Sequence, residues 1–366
     1  MITKGVFCTM KVLSLFSGIG AYEKALTNLG IPYTLQNFCE IDKDAIQSYC
    51  AIHNVDAALN LGDITKVNLD QLPEADLIVH GSPCQDYSVA GHNLGGDMGS
   101  TTRSSLMWNS VEIIKRIQPK YVVWENVKGI LQKKHKHNLE KYLADLTDMG
   151  YTSYYTLLNA NDFGIPQNRV RIFVVSIRKD LNQSFTFPTP TGKPCAVKDF
   201  LDIVPEQKYI VTNKKLNDLL RQLELRAEKG YTDTNLWREQ LQDIKGTIGY
   251  KFTKNYLQYD LSGKKYNSQD QRAYYDTGVI GTLMSTQTGG KSKVLIGSES
   301  LQKGEKGQIE VRTISPREAF RLMGFTDADF DKVTQHTTAL TKLYRQAGNS
   351  IVVPVLEAIF KELLMQ

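Results

Sequence analysis

No two cysteines of this chain form a CxxC pair; the five present, at positions 8, 39, 50, 84 and 195, are odd in number and scattered. This excludes a disulfide framework and a zinc ribbon, gives no reason to expect a metal, and points to a reducing compartment, the cytoplasm. Long apolar runs are missing as well. No stretch approaches the ~18 residues of a membrane span, and MITKGVFCTMKV at the N-terminus has neither the apolar core nor the cleavage site of a secretory leader. A soluble protein with no membrane partner is expected. Internal repeats are absent, and with 41% hydrophobic and 23% charged residues the composition excludes a disordered or fibrous chain. Charge of one sign does not dominate either. The net charge of +5 fits a polyanionic partner without requiring one.

The 366 residues suffice to bury a core of one large or two medium domains. Short apolar runs alternate with helical patterns through the first half, the mark of parallel βαβ units. KVLSLF (11 to 16), TLQNFCE (34 to 40), LIVHGS (77 to 82), YVVWEN (121 to 126) and RIFVVSIR (171 to 178) read as strands. Between them lie a helix with Ala21, Ala25, Leu26 and Leu29 on one face and Gly30 as its stop, a second helix capped by Asp42, and a third bearing Leu106, Ile113, Ile114 and Ile117. Ligands of an open α/β sheet bind beyond the carboxyl ends of its strands, so Phe16, Glu40, Pro83 and Glu125 should converge on one crevice. The pattern breaks at FPTPTGKP (187 to 194). Residues 195 to 311 are richer in Lys, Tyr, Gln and Gly, and helical periodicity returns in SPREAFRLMGF (315 to 325) and IVVPVLEAIFKELL (351 to 364).

LFSGIGAYEKAL sets Phe16, Ser17, Gly18 and Gly20 on the turn from strand to helix, where glycines let the backbone approach a ligand. Alone, the pattern suits a plain tight turn equally well. Glu40 ends the next strand, about 20 residues on, where an acidic residue accepts ribose hydroxyls. GSPCQDYSVAG puts Cys84 at a strand end, in a loop later loosened by Gly91, Gly95, Gly96 and Gly99. A lone cysteine is more often an inert buried residue, and Cys8, Cys39, Cys50 and Cys195 take that reading. WENVKG adds Glu125 at the end of the following strand, facing the same pocket or pairing with Lys128. QNRVR supplies Arg169 and Arg171, two apart and hence on one face of an entering strand, suited to anchoring a carboxylate, a phosphate or a base or to ordinary ion pairs.

Together these residues resemble one family, the cytosine-C5 DNA methyltransferases, whose ordered signature is FxGxG, PCQ, ENV, QxRxR and a late GNS. All five occur in that order, the last as Gly348, Asn349 and Ser350. The resemblance implies a Rossmann-like class I methyltransferase domain over residues 1–186 plus 336–366, and a smaller, mostly irregular or β target-recognition domain over 187–335. It implies S-adenosylmethionine as cofactor, held by Phe16, Ser17, Gly18, Gly20, Glu40, Ile41 over the adenine, Asp63 at its amine with Ile64 beside it, Pro83, Leu106, Asn349 and Ser350. Cys84 is then the nucleophile, Glu125 the acid at cytosine N3, and Asn126, Arg169 and Arg171 orient the base, the arginines also raising the thiolate fraction. Double-stranded DNA is the implied partner, met by Gln85, Ser88, Thr282 and Leu283, with Gln269 filling the place of the flipped base; Gln271, two residues on, is the rival for that role. The loop with Gly91, Gly95, Gly96 and Gly99 would close over the flipped base. RTISPREAFRLMGF would help to fold the small domain. A monomer of prokaryotic or phage type is expected, with any cognate restriction endonuclease acting independently.

A branch of the same family methylates transfer RNA at the same carbon; the variable region of over 100 residues favours duplex DNA. A nicotinamide dehydrogenase has a similar glycine turn and distant acid but no use for PCQ and ENV together. A DNA-binding regulator without turnover would not need Cys84, Glu125, Arg169 and Arg171 intact.

Overall fold

The computed structural model describes residues 9–87, 94–192, 195–229, 249–260, 271–285, 292–299 and 309–365. Its first half runs β1 (Met10–Leu15), α1 (Ala21–Asn28), β2 (Tyr33–Cys39), α2 (Lys43–His53), β3 (Leu77–His80), α3 (Met107–Ile117), β4 (Tyr121–Val127), α4 (Lys136–Asp148), β5 (Tyr151–Asn159), β6 (Gln167–Asn168) and β7 (Val170–Arg178). Six strands form one sheet in the order β2-β1-β3-β4-β7-β5. Those in its middle are continuous apolar runs because helices cover both faces: Val12, Leu13, Leu77, Ile78 and Val79 are fully buried, each such side chain contributing about 1.5–3 kcal/mol. α1 ends where expected, since Gly30 at φ 66 allows its N–H and that of Ile31 to reach the carbonyls of Thr27 and Leu26. Asp42 caps α2 by accepting from the N–H groups of Asp44 and Ala45.

Two features depart from the expected parallel series. β5 is a strand that the sequence reading passed over, and β7 runs antiparallel to both β4 and β5. The cause is the short link between them: Asn159 pairs with Val170, and so brief a connection permits only an antiparallel return.

The second half adds α5 (Lys214–Ala227), β8 (Gly249–Phe252), β9 (Tyr256–Asp260), β10 (Arg272–Tyr275), β11 (Ile280–Gly281), β12 (Lys293–Ile296), β13 (Glu310–Thr313), α6 (Pro316–Arg321), α7 (Asp327–Thr334), α8 (Leu340–Asn349) and α9 (Val353–Leu364). The small unit is more regular than expected. Its sheet, β13-β12-β10-β9-β8, packs against α5 through Leu216, Leu219, Leu220 and Leu223. Phe320, Met323, Phe325, Phe330 and Val333 of the 316–334 helices lie in one core cluster with Ala25, Leu26 and Phe360, and with Tyr274 and Val294 of the small sheet. Lys24 of α1 ion-pairs at 2.7 Å with Asp329 of α7, both nearly buried. Among the described residues no helix is long and apolar enough to cross a membrane.

Candidate active site

β3, β4 and β7 bring three side chains to one end of the sheet. Cys84, half-buried, follows β3 in a turn that passes over Glu125 near the end of β4; a Cβ on Gly81 would lie 3.8 Å from Glu125 Oε2. Arg171, entering β7, donates from Nε to Glu125 Oε1 at 3.0 Å. Burial raises the Glu125 carboxyl above its ordinary value although Arg171 and Arg169 oppose it, which favours the protonated form that can donate. Burial likewise pushes the Cys84 thiol up, the Glu125 charge pushes it further, and the two arginines only partly offset both. The expected pull of the arginines toward the thiolate is present, since both lower the Cys84 thiol, but burial and the Glu125 charge outweigh it.

Asn126 and Arg169, expected to orient the base, point elsewhere. Asn126 is buried; its amide donates to the carbonyl and hydroxyl of Ser82, both at 3.2 Å, and its oxygen accepts from Val127 N–H. Trp124 donates to the same Ser82 hydroxyl at 3.1 Å, so Ser82, unremarked in the sequence, ties β4 to the turn that carries Cys84. Arg169 lies in the break between β6 and β7 rather than in a strand, which removes the alternation that would align it with Arg171. Its buried guanidinium donates to the carbonyls of Leu283, Gly348 and Ser350 at 2.9, 3.0 and 2.7 Å. Gln167 beside it accepts from Leu283 N–H and donates to the Leu322 carbonyl. The QNRVR segment thus fastens the GNS and 282–283 segments together, a role the sequence reading missed.

That clamp also corrects the reading of Thr282 and Leu283 as DNA contacts. The Leu283 side chain is 2% exposed, Thr282 donates to the Asn168 carbonyl, and β11 pairs with β6 just before them. Gly348 is required by this approach, because a Cβ there would come within 2.5 Å of Met284 and Ser285 backbone atoms. Gln85 is exposed and accepts from Arg103 at 3.3 Å. Ser88, Gln269 and Gly91 lie outside the described residues. Gln271 is half-buried just before β10, its carbonyl accepting from Gln258. Gly95 and Gly96 are buried against His135 and Tyr87, and the Gly96 carbonyl accepts from Trp108. They serve packing at the base of the loop rather than a hinge; Gly99, at φ 80 with open space around it, is the one among the described three that keeps the expected freedom.

Beside this centre lies the FxGxG turn. Phe16, Gly18 and Gly20 have φ of 54, 56 and 81, three left-handed residues in a tight turn whose Ser17 and Gly20 N–H groups are bonded to the Cys39 and Ser17 carbonyls. Ser17 anchors the turn through its hydroxyl to the Ser14 carbonyl. Glu40 accepts from Gly18 N–H with Oε2 and from Ile41 and Asp42 N–H with Oε1. A carboxylate has about four acceptor sites, so Oε2 retains capacity for one hydroxyl. Ile41 is 71% exposed, an apolar surface suited to a flat ring. Asp63 is turned to the Thr65 N–H and hydroxyl as a cap. Ile64, at 6% exposure, packs into the core with Leu13 and Leu15, so it does not line the crevice. Leu106 packs against that same core, Pro83 is half-buried beside Cys84, Asn349 is exposed, and buried Ser350 carries one of the carbonyls bound by Arg169. Among the described residues no cluster of His, Cys, Asp and Glu is arranged to hold a metal.

A sequence model of C-5 cytosine-specific DNA methylases matches residues 10–365. The orphan methyltransferase M.SPRI of Bacillus phage SPR is 32% identical over 97% of this chain and 97% of its own. The type II methyltransferase M2.ScrFI of Lactococcus lactis subsp. cremoris is 33% identical over 97% and 99%. Among solved structures, the S. pombe Dnmt2 methyltransferase superposes with a TM-score of 0.63 at 19% identity over 97% and 98% of the two chains. Entamoeba histolytica methyltransferase EhMeth does so with 0.63 at 17% over 98% of each, and these two establish a shared fold. With the family matched over nearly every residue and relatives above 30% identity along their lengths, the chain belongs to the C-5 cytosine-specific DNA methylases.

Proposed function

We propose that this protein is a DNA (cytosine-5-)-methyltransferase acting on a cytosine flipped from duplex DNA. The observation that carries this reading is the meeting of Cys84, Glu125 and Arg171 at the strand ends beside the left-handed FxGxG turn. Cytosine C5 is a weak nucleophile, and a thiolate adding to C6 converts the ring into an enamine. Cys84 supplies the thiolate. Glu125, held by Arg171 and raised toward its acid form, donates to N3 as charge develops on the ring. After methyl transfer the C5 proton passes to solvent, the C5–C6 double bond re-forms as the Cys84 sulfur leaves as thiolate, and the N3 proton returns to Glu125.

S-adenosylmethionine, when bound, supplies the electrophilic methyl group. The residues present suit it: Glu40 keeps one acceptor site free beside the turn, and Ile41 offers a bare apolar face. Phe16, Ser17, Gly18, Gly20, Glu40, Ile41, Pro83, Leu106 and Asn349 form the proposed cofactor crevice, with Asp63 at its edge. The small sheet's unit meets the DNA, Gln269 entering the space that the cytosine leaves. The working form is a cytoplasmic monomer, serving in restriction and modification or in phage self-protection without contact to an endonuclease. Tritium transfer from S-adenosylmethionine into duplex DNA, with transfer RNA in parallel, tests the reading; label in transfer RNA alone would replace DNA by RNA as substrate.

A further inference from the structure

The chemistry above leaves one buried acid without a task. Glu23 stands in the first turn of α1, just past the FxGxG turn, and is fully buried. The hydroxyls of Ser14 on β1 and Tyr49 on α2 face its carboxyl, and both are fully buried too. Yet among the described residues neither carboxyl oxygen of Glu23, nor Ser14 Oγ, nor Tyr49 OH completes a hydrogen bond of ordinary geometry. The adjacent cation, Lys24, is turned away to Asp329. A carboxylate ionised in such a place lacks the partners a buried charge requires, at a penalty of several kcal/mol, and burial accordingly raises the Glu23 carboxyl.

Tyr49 connects this acid to the cofactor turn. Its ring stacks on Phe38 at 4.2 Å and tilts against His53 at 4.8 Å. A Cβ on Gly20 would lie 2.9 Å from Tyr49 Cε2 and 2.1 Å from His53 Nε2. Burial lowers His53 to about 4, so its ring is neutral at pH 7, and Nε2 bonds the Ile19 carbonyl at 3.1 Å. Tyr49 and His53 are therefore the floor beneath the left-handed residue Gly20.

From this arrangement we propose that Glu23 is a neutral carboxylic acid in the folded protein and a positioning residue for the FxGxG turn, packed between the Ser14 and Tyr49 hydroxyls so that Tyr49 and His53 stay fixed beneath Gly20. The inference rests on reading that turn as the S-adenosylmethionine site. Two measurements test it. Infrared spectra of the ligand-free protein at neutral pH should contain a protonated-carboxyl band that Glu23→Gln abolishes. Calorimetric titration with S-adenosylmethionine should find Glu23→Gln within about twofold of wild type and Glu23→Ala weaker by about tenfold, the effect of one hydrogen bond. The loss should fall on the cofactor KM more than on kcat. Tyr49→Phe should weaken binding in the same direction, and combining it with Glu23→Ala should add little; if the alanine variant does not fold, Glu23→Gln and Tyr49→Phe carry the test. Absence of the band, or a Gln variant as impaired as the Ala variant, overturns the proposal. A wild type that binds no S-adenosylmethionine refutes the cofactor reading instead, while the infrared band still decides the state of Glu23.

Discussion

Replacing Arg169 by methionine separates a clamp from a catalytic contact. The guanidinium donates to three buried carbonyls, those of Leu283, Gly348 and Ser350. Hydrogen bonds from a charged donor contribute about 1.5–3 kcal/mol each, or about 4.5–9 kcal/mol in gross terms. Removing the buried charge relieves its own desolvation, several kcal/mol in the opposite sense, but leaves the carbonyls unpaired in the interior. The expected net loss is about 3–5 kcal/mol, a large part of the 5–15 kcal/mol typical of a folded domain. Urea unfolding followed by circular dichroism reads this as a lower midpoint, and activity should fall in step with the folded fraction. Arg169→Lys keeps the charge but not the fork and should recover only part of the loss. Arg171→Gln, in contact with Glu125, should instead keep most of the stability while cutting kcat. If Arg169→Met unfolds within about 1 kcal/mol of wild type, the scale on which distant effects cancel, yet loses turnover, Arg169 touches the reacting base and the clamp is wrong.

Cys84→Ser should abolish methyl transfer yet keep cofactor affinity, and duplex DNA with 5-fluorocytosine at the target should give the wild type an SDS-stable adduct at Cys84; turnover by the serine variant refutes covalent catalysis. Glu40→Ala strips three backbone N–H groups of their acceptor and should weaken S-adenosylmethionine by at least about tenfold; unchanged affinity by calorimetry means that the crevice is elsewhere. Gly348→Ala forces a methyl against the Met284 and Ser285 backbone and should cost about 1–3 kcal/mol as overpacking, seen as a lower thermal midpoint. Glu125→Gln removes a charge that raises the Cys84 thiol, so alkylation of Cys84 by iodoacetamide at pH 7.5, mapped by mass spectrometry, should speed up; slower alkylation contradicts the coupling.

What the sequence made legible follows from where the physical signal is strong. β1, β3 and β4 are buried on both faces and therefore read as unbroken apolar runs, and Cys84, Glu125 and Glu40 stand at strand ends where their positions follow from the runs. β5 escaped because an edge strand buries one face irregularly: TSYYTLLN mixes half-exposed tyrosines and threonines with few fully buried positions. Arg169 and Arg171 were indistinguishable because the spacing of two assumes an unbroken strand, and the break at 169 is set by the pairing of β6 with β11, over 110 residues away. Ser82 and Gln167 act through backbone groups of distant segments, and no periodicity encodes such contacts. The QNRVR motif is the one signal in the sequence for Gln167.

The burial that raises both Cys84 and Glu125 looks at first like a handicap for a thiolate mechanism. It is better understood as coupling. Because the Glu125 charge is one cause of the raised Cys84 thiol, any step that neutralises Glu125 makes the thiolate easier to form, and Arg171, bound to Glu125 at 3.0 Å, is then freed to stabilise negative charge nearby. The raised Cys84 thiol is less open to oxidation and stray alkylation than a thiolate would be. In the proposed reaction a cytosine whose N3 takes up the Glu125 proton is itself activated toward addition at C6, so addition is favoured only when the base is seated. The pair titrates as a unit, so selectivity for a bound base and protection of the free nucleophile come from the same desolvated geometry, with Ser82, Asn126 and Trp124 fixing the turn that carries the sulfur.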